Sequence, residues 1–192
     1  MNTYKIDSTI TFKKNKDEWG IFSNMYPLKL NVNGIEVRTS EALYQALRFP
    51  HEQEIQREIL EQKSPMTVKY KAAKYKKNYT HSDFEKFKVE IMEWVVRLKV
   101  AQHYYKIAPY LRKAVDKNIA ELTGRDKFWG AVLNKKDKTE LIGENNLGKI
   151  WMKIIADFKS DKSKVQHVEP LNIPSMKILG KSLNFKYGIK TN

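Results

Sequence analysis

The segment from Ser82 to His103 constrains the fold most, because apolar side chains recur along it at helical spacing. Such a stripe predicts an amphipathic helix whose apolar face must be buried against other parts of the chain. Ser82 and Glu85 match the capping box that marks the start of a helix. The apolar positions are Phe84, Phe87, Ile91, Trp94, Val95 and Leu98. We therefore predict that this segment forms the central buried helix of the protein.

Turn and capping residues predict shorter elements on both sides of this helix. Asn33-Gly34 between alternating apolar residues predicts a β-hairpin. Further strands are predicted at about 9–13, 120–122 and 129–133, and helices at about 40–47, 55–62, 66–76, 109–117 and 147–158. The predicted fold class is α+β and mainly helical, a single compact domain with a small β-sheet and hairpins.

A change in composition marks the C-terminal part of the chain. Residues 160–164 are charged and polar, whereas the apolar residues that follow Pro170 indicate an ordered tail that packs back onto the body. We expect a domain at 1–159 and a C-terminal extension at 160–192 packed on that same domain.

Composition narrows the possible functions. The 192 residues are 41% hydrophobic and support one core, and the formal net charge of +14 favours polyanionic partners such as nucleic acids. Cysteine is absent, which excludes disulfides and thiolate nucleophiles, and the four histidines lack zinc-site spacing. Neither a signal peptide nor a membrane-spanning run is evident, so we expect a cytoplasmic protein with no membrane partner.

The predicted helix at 40–47 brings together polar residues that can carry chemistry. Glu41, Tyr44, Gln45 and Arg48 are spaced to share a helix face. Taken alone, the pattern favours an ordinary helix in which Glu41 complements the helix dipole.

Three other segments each have a functional and a structural interpretation. Lysines alternate with tyrosines over 66–77, which suits a phosphate-tracking and base-stacking surface, a desolvated lysine nucleophile or simply a solvated helix face. Within 121–130, Trp129 can stack on a flat ring or fill the core, and Asp126 can act chemically or cap a turn. The turn at 143–148 opens a helix that can hold a phosphate or be purely structural.

Six segments in order along the chain carry a resemblance to one family. They are Phe22-Ser23-Asn24; Ser40-Glu41-Ala42-Leu43-Tyr44-Gln45-Ala46; Ser64-Pro65 with Lys69; Met92, Lys99 and Gln102; Glu121, Thr123, Asp126, Trp129 and Gly130; and Gly143, Asn145, Leu147 and Gly148. Over about Phe22 to Met152 they resemble the NADAR superfamily, hydrolases associated with NAD and ADP-ribose that include N-glycosidases of riboflavin intermediates.

Further residues are similar to one branch of that family, which is paired with DarT-type DNA ADP-ribosyltransferases. They are Arg48-Phe49-Pro50-His51, Ser64-Pro65-Met66-Thr67 and, in the tail, Pro170, Ile173, Leu179 and Gly180. This resemblance implies an antitoxin that removes ADP-ribose from guanine in DNA, with the cognate toxin as its partner through genetic pairing. We expect neither a cofactor nor a histidine-based metal site, while a magnesium site made of carboxylates and water stays open.

Three rival functions remain open. The first is an N-glycosidase of phosphorylated riboflavin intermediates, and the second is a non-catalytic basic module that binds nucleic acid or a toxin. The third is a protein that binds ADP-ribose without hydrolysing it.

The resemblance also assigns roles to individual residues. Glu41, Lys69 and Asp126 are the catalytic candidates, either through acid–base catalysis by Glu41 or through a covalent lysine intermediate at Lys69, with Lys99 as the second choice. The residues expected to bind substrate are Asn24, Tyr44, Arg48, Lys99, Trp129, Gly130, Gly143 and Asn145.

Overall fold

The computed structural model describes residues 1–188, which contain two compact units. The first unit comprises residues 1–26 and 103–166, and the second comprises residues 27–102 and the chain from residue 167. The helices of the described chain are α1 (Ser40–Ala46), α2 (Gln53–Leu60), α3 (Pro65–Tyr79), α4 (Ser82–Gln102), α5 (Tyr104–Lys113) and α6 (Asn146–Ser160). Its strands are β1 (Asn2–Lys5), β2 (Thr9–Phe12), β3 (Leu30–Val32), β4 (Ile35–Val37), β5 (Asn118–Glu121), β6 (Val132–Leu133), β7 (Glu140–Gly143), β8 (His167–Val168), β9 (Lys177–Ile178), β10 (Lys181–Ser182) and β11 (Tyr187–Gly188). These elements confirm a mainly helical α+β fold.

The second unit begins with the predicted hairpin. β3 and β4 pair antiparallel, and Asn33 and Gly34 between them have positive φ angles of 53° and 85°. A two-residue hairpin turn of this kind requires positive φ at both positions, which asparagine and glycine tolerate best. The hairpin leads directly into α1.

Helix α1 lies in the interior of the second unit. The Thr39 hydroxyl caps it by accepting a hydrogen bond from the Ala42 N–H at 3.2 Å. The helix packs against α2, α3 and α4, and six of its seven residues are buried. A segment that resembles an exposed polar helix in sequence is therefore enclosed on almost all sides.

The predicted central helix is confirmed as α4, but its predicted cap is wrong. The Glu85 carboxylate binds the Arg48 guanidinium at 2.6 Å instead of closing a box with Ser82. The imidazole Nδ1 of His81 accepts the Asp83 N–H at 3.2 Å. The reason is that a guanidinium is a stronger partner for a carboxylate than a backbone N–H is.

The tail packs on the helices of the second unit. The Trp94 indole N–H donates to the Glu169 carbonyl at 3.0 Å. The fully buried Gln56 donates to the Lys177 carbonyl at 2.8 Å and accepts the Leu179 N–H at 2.6 Å. The tail's buried side chains include Leu171, Ile173, Met176, Ile178 and Leu183. The boundary between residues 159 and 160 stays a prediction.

Two small sheets support the first unit. β1, β7 and β6 form an antiparallel sheet in that order, and β2 pairs parallel with β5. The strand predicted at 129–133 is confined to β6, so Trp129 and Gly130 lie in the preceding loop. β1 and β7 were not predicted, because each is short and their pairing joins residues that are distant in sequence.

Helix α5 begins five residues before its predicted start. The proline rule places a helix start at Pro109, yet this residue lies inside α5. Ile107 and Leu111 are fully buried and α5 packs against α6, so tertiary packing maintains the helix across the proline.

Within residues 1–188, no helix has the length and apolar character needed to cross a bilayer.

Candidate active site

Glu41 is a buried carboxylate in the first turn of α1. Its side chain is 6% exposed, and its Oε1 accepts a hydrogen bond from the Gln45 amide at 2.9 Å. Glu41 forms no ion pair with any described residue. A carboxylate has about four acceptor positions, so Glu41 keeps capacity to bind a substrate hydroxyl, a water or a proton.

Ser40 is a candidate that sequence reasoning missed. Its hydroxyl is buried and has no hydrogen-bond partner among residues 1–188. The neighbouring Thr39 hydroxyl, and not that of Ser40, caps the helix. A buried hydroxyl without a partner costs about 1–3 kcal/mol, which a ligand contact would offset. The sequence signals that could have found it are its position beside Glu41 and its place at the start of the segment 40–46 that carries the family resemblance.

Tyr44 lies in the following turn of α1, and Arg48 follows Leu47, the residue that ends this helix. Tyr44 packs its ring 5.0 Å from Phe84, and the Arg48 guanidinium lies 4.2 Å above the same ring. Arg48 also binds Glu85, so it joins the end of α1 to the start of α4. Its Nε is buried and has no partner among the described residues, so a role in substrate binding stays a prediction alongside this structural role.

Lys99 is a completely buried lysine on α4. Its side chain has 0% exposure, and burial lowers its pKa from 10.5 to about 7. The cause is desolvation, which penalises the charged ammonium form. An amine with this pKa is substantially unprotonated at neutral pH, as a nucleophilic lysine must be.

Lys69, the first choice for a covalent role, lies in a different environment. It is exposed on α3, whose buried side chains are Val68 and Ala72. Water surrounds the Lys69 ammonium group, so this lysine is not desolvated as an activated lysine nucleophile is. The structure therefore favours Lys99 over Lys69 as the candidate nucleophile.

In the first unit, Asp126 caps the loop that carries Trp129. The Asp126 carboxylate is exposed, and its Oδ1 accepts the N–H groups of Phe128 at 3.0 Å and of Trp129 at 2.9 Å. Trp129 is half-buried and packs edge-on against Phe128 at 5.0 Å. The geometry therefore assigns Asp126 a structural function, and its catalytic role stays a prediction.

The start of α6 is already occupied by backbone hydrogen bonds. Four successive N–H groups, those of residues 144–147, donate to carbonyls of residues 127–130 at 2.6–3.2 Å. These four N–H groups are therefore engaged by carbonyls of the adjacent loop, and the expectation that the turn at 143–148 receives a phosphate stays a prediction.

Asn145 fixes this helix start to β5. It is fully buried, its Oδ1 accepts the Glu121 N–H at 3.2 Å, and its Nδ2 donates to the Ile119 carbonyl at 2.7 Å. Its left-handed backbone, with φ 54°, is one that asparagine tolerates better than most residues. Its amide is thus engaged in structure, and its predicted role in substrate binding stays untested.

The remaining predicted site residues lie in close-packed parts of the first unit, Asn24 and Gly130 in loops and Gly143 at the end of β7. A Cβ on Gly130 would lie 2.5 Å from the Glu121 carbonyl oxygen, and a Cβ on Gly143 would lie 2.8 Å from the Ala131 Cα. Both glycines are therefore required by packing. Asn24 is 4% exposed in a turn that is held by a hydrogen bond from the Trp151 indole to the Phe22 carbonyl at 2.9 Å.

The second unit thus contains the groups best suited to chemistry. Glu41 offers a buried carboxylate, Lys99 a buried amine of lowered pKa, and Ser40 a buried hydroxyl. Among residues 1–188, no group of three histidine or acidic side chains could hold a metal ion. These groups can transfer protons, stabilise a developing cation or attack an electrophilic carbon.

Comparisons with known proteins agree on one family. The model of the NADAR domain matches residues 11–159, a range that includes parts of both units. N-glycosidase YbiA of Shigella boydii serotype 4 is 31% identical over 148 residues, which cover 77% of this chain and 87% of that protein. N-glycosidase YbiA of Escherichia coli strain K12 is 30% identical over the same coverage. The NMR structure of the E. coli protein YbiA has a TM-score of 0.67 and 26% identity, covering 81% of this chain and 88% of that one.

Proposed function

This chain belongs to the NADAR family and is a glycosidase, and we propose that it removes ADP-ribose from guanine bases in DNA. The observation that carries the proposal is the distribution of positive charge. The chain has a formal net charge of +14, and the 15-residue helix α3 contains five lysines and no acidic residue. DNA phosphates attract such a surface, whereas a small free substrate does not require one.

The proposed reaction breaks the bond between ribose C1″ and a guanine nitrogen. As the bond lengthens, positive charge develops on the sugar and negative charge on the departing nitrogen. In this proposal the Glu41 carboxylate stabilises the sugar cation or transfers a proton, and the Ser40 hydroxyl binds a substrate hydroxyl. Water supplies the hydroxyl that ends on C1″ and the proton that ends on guanine.

A covalent route uses Lys99 as the nucleophile. Its neutral amine attacks C1″, the guanine leaves with a proton, and the ring-opened sugar is held as a Schiff base. Water then hydrolyses the Schiff base and releases ADP-ribose and the free amine. The lowered pKa of Lys99 supports this route over one through Lys69.

Two substrates separate the proposal from its rivals. We expect a purified sample to release ADP-ribose from guanine-modified DNA, and Glu41→Gln to lower kcat by about 100-fold or more while remaining folded. Turnover of phosphorylated riboflavin intermediates without any turnover of modified DNA would reject the proposed substrate. Normal activity of a folded Glu41→Gln variant would reject the role of Glu41, and an absence of turnover on both substrates would favour a non-catalytic module.

Borohydride trapping tests the covalent route. Reduction during turnover should attach the sugar to the protein in the wild type and in Lys69→Met, but not in Lys99→Met. An adduct that persists in Lys99→Met, or no adduct in the wild type, removes Lys99 as the nucleophile and leaves acid–base catalysis by Glu41.

The biological setting that we propose is the cytoplasm, where the protein acts as an antitoxin. Its partner is a DarT-type DNA ADP-ribosyltransferase that is paired with it genetically. Co-expression should rescue cells from the transferase, and rescue should depend on Glu41. Rescue by a folded Glu41→Gln variant would show that protection arises from binding rather than hydrolysis.

A further inference from the structure

We propose that one face of α3 binds single-stranded DNA beside the modified nucleotide. The α3 outer face is defined here by Met66, Lys69, Tyr70, Lys74 and Lys77. This inference rests on the proposed function in one respect, because it assigns the flanking strand of that same substrate to a particular surface.

Packing of α3 leaves this face open to solvent. The helix turns Val68 and Ala72 inward and packs against α1 and α2. Tyr70 and Lys77 lie on the opposite side, about two turns apart. Met66 and Tyr70 are 67% and 73% exposed, which is unusual for side chains of their size and polarity.

The lysines of α3 fall into two groups. Lys71 binds the Glu58 carboxylate at 3.1 Å, and the Tyr75 hydroxyl donates to the same carboxylate at 2.9 Å. The other lysines of the helix form no ion pair with any residue in 1–188. They are Lys69, Lys74, Lys76 and Lys77. Lys74 lowers the pKa of Glu58 and Lys76 lowers the pKa of Glu85 through space, without forming an ion pair. The four ammonium groups therefore remain able to contact phosphates.

The outer face also leads to an open cavity. Lys76 and Lys77 line a cavity of about 510 Å³ at the C-terminal end of α3, together with Ala73, Thr80 and Glu85. Glu85 is compensated by Arg48, at 2.6 Å. The cavity extends the basic track beyond the last turn of the helix.

The combination of an exposed ring and unpaired cations fits a single strand. A base can stack on Tyr70 only if its face is uncovered, and duplex bases are covered by their neighbours. Lysines that flank the ring can follow the sugar–phosphate backbone without reading sequence. Single-stranded DNA also presents its guanine to an enzyme without the cost of extruding the base from a duplex.

Binding of an unmodified oligonucleotide tests this surface directly. By fluorescence anisotropy, Tyr70→Ala should weaken binding of a single strand by about 5-fold to 100-fold through the loss of one stacked base. The double variant Lys74→Glu/Lys77→Glu should also weaken binding, and should reduce the slope of log K against log salt by about 1.4 through the loss of two phosphate contacts.

Helix α5 offers matched controls of the same chemistry. Tyr105 is 80% exposed, and Arg112 and Lys113 are exposed cations, so Tyr105→Ala and Arg112→Glu/Lys113→Glu make the same changes elsewhere. These variants should bind the strand as the wild type does. Equal losses from the α3 and α5 variants would overturn the proposal, and so would duplex DNA or RNA bound more tightly than single-stranded DNA.

A kinetic comparison separates this inference from the proposed function. On a modified oligonucleotide the α3 variants should raise KM and leave kcat unchanged, and on a modified mononucleotide they should match the wild type. Loss of mononucleotide turnover in the α3 variants would overturn the inference. If the wild type hydrolyses no modified guanine but binds single strands through α3, the proposed function fails while the surface is supported.

Discussion

At the scale of the residue, Lys99 shows how burial alters chemistry. A lysine amine at the protein surface is charged near neutral pH. Complete burial of the Lys99 amine lowers its pKa to about 7. Lys69 has the same functional group and no such enclosure. The difference between them is one of solvation, which sequence position alone does not determine.

This burial predicts a pH-dependent stability. Between about pH 7 and pH 10.5 the unfolded chain carries a proton on Lys99 that the folded chain does not. The free energy of unfolding should therefore rise with pH across this window, by up to about 1.4 kcal/mol per pH unit from this group, and the contribution should level off below pH 7. Chemical denaturation at several pH values measures it.

Two lysine variants make this prediction specific. Lys99→Met should lose this component of the slope, whereas Lys69→Met should keep it. An unchanged slope in a folded Lys99→Met protein would contradict the lowered pKa. If Lys99 is also the nucleophile, kcat/KM should rise with pH around an apparent pKa near 7.

At the scale of the element, the start of α6 depends on one buried amide. Replacing Asn145 by alanine leaves the Glu121 N–H and the Ile119 carbonyl without their partners. We expect Asn145→Ala to lower the free energy of unfolding by about 2–4 kcal/mol, since two buried hydrogen-bonding groups become unsatisfied. Denaturant titration measures the change.

The neighbouring residue is the control for this element. Asn146 is only partly buried and donates to the Phe128 carbonyl at 2.9 Å, so Asn146→Ala should cost about 1 kcal/mol. A stable Asn145→Ala protein with poor substrate binding would show that Asn145 binds substrate, as the resemblance implies, rather than holding α6 in place.

At the scale of the whole molecule, Gln56 connects parts of the second unit that are far apart in sequence. Its amide joins the Ala46 carbonyl at 3.1 Å to Lys177 and Leu179 in the tail. Gln56→Ala should destabilise the protein by about 2–4 kcal/mol and increase hydrogen exchange in residues 171–183.

Gln62 in the adjoining turn provides the comparison. Its amide donates to the Glu58 carbonyl at 2.8 Å, four residues earlier, and forms no hydrogen bond with the tail within residues 1–188. Gln62→Ala should therefore leave exchange in the tail unchanged. If hydrogen exchange in residues 171–183 is the same in Gln56→Ala and Gln62→Ala, Gln56 does not hold the tail in place.

Local patterns predicted much of the fold. The Asn33-Gly34 turn and the apolar stripe of α4 both act over a few residues, and the structure contains each of them. Patterns that depend on distant partners were less reliable. Glu85 prefers Arg48 to the capping box, and α5 extends across Pro109 because its apolar face is buried.

For the candidate site too, some properties follow from the sequence and others depend on the folded structure. By itself, the sequence determined the family, the net charge of +14 and the set of residues to consider, because order and composition are properties of the chain. Only the tertiary structure decided that Glu41, Ser40 and Lys99 are buried, that Lys69 is exposed, and that the start of α6 is occupied. The physical reason is that desolvation and hydrogen-bond occupancy depend on neighbours brought together by folding.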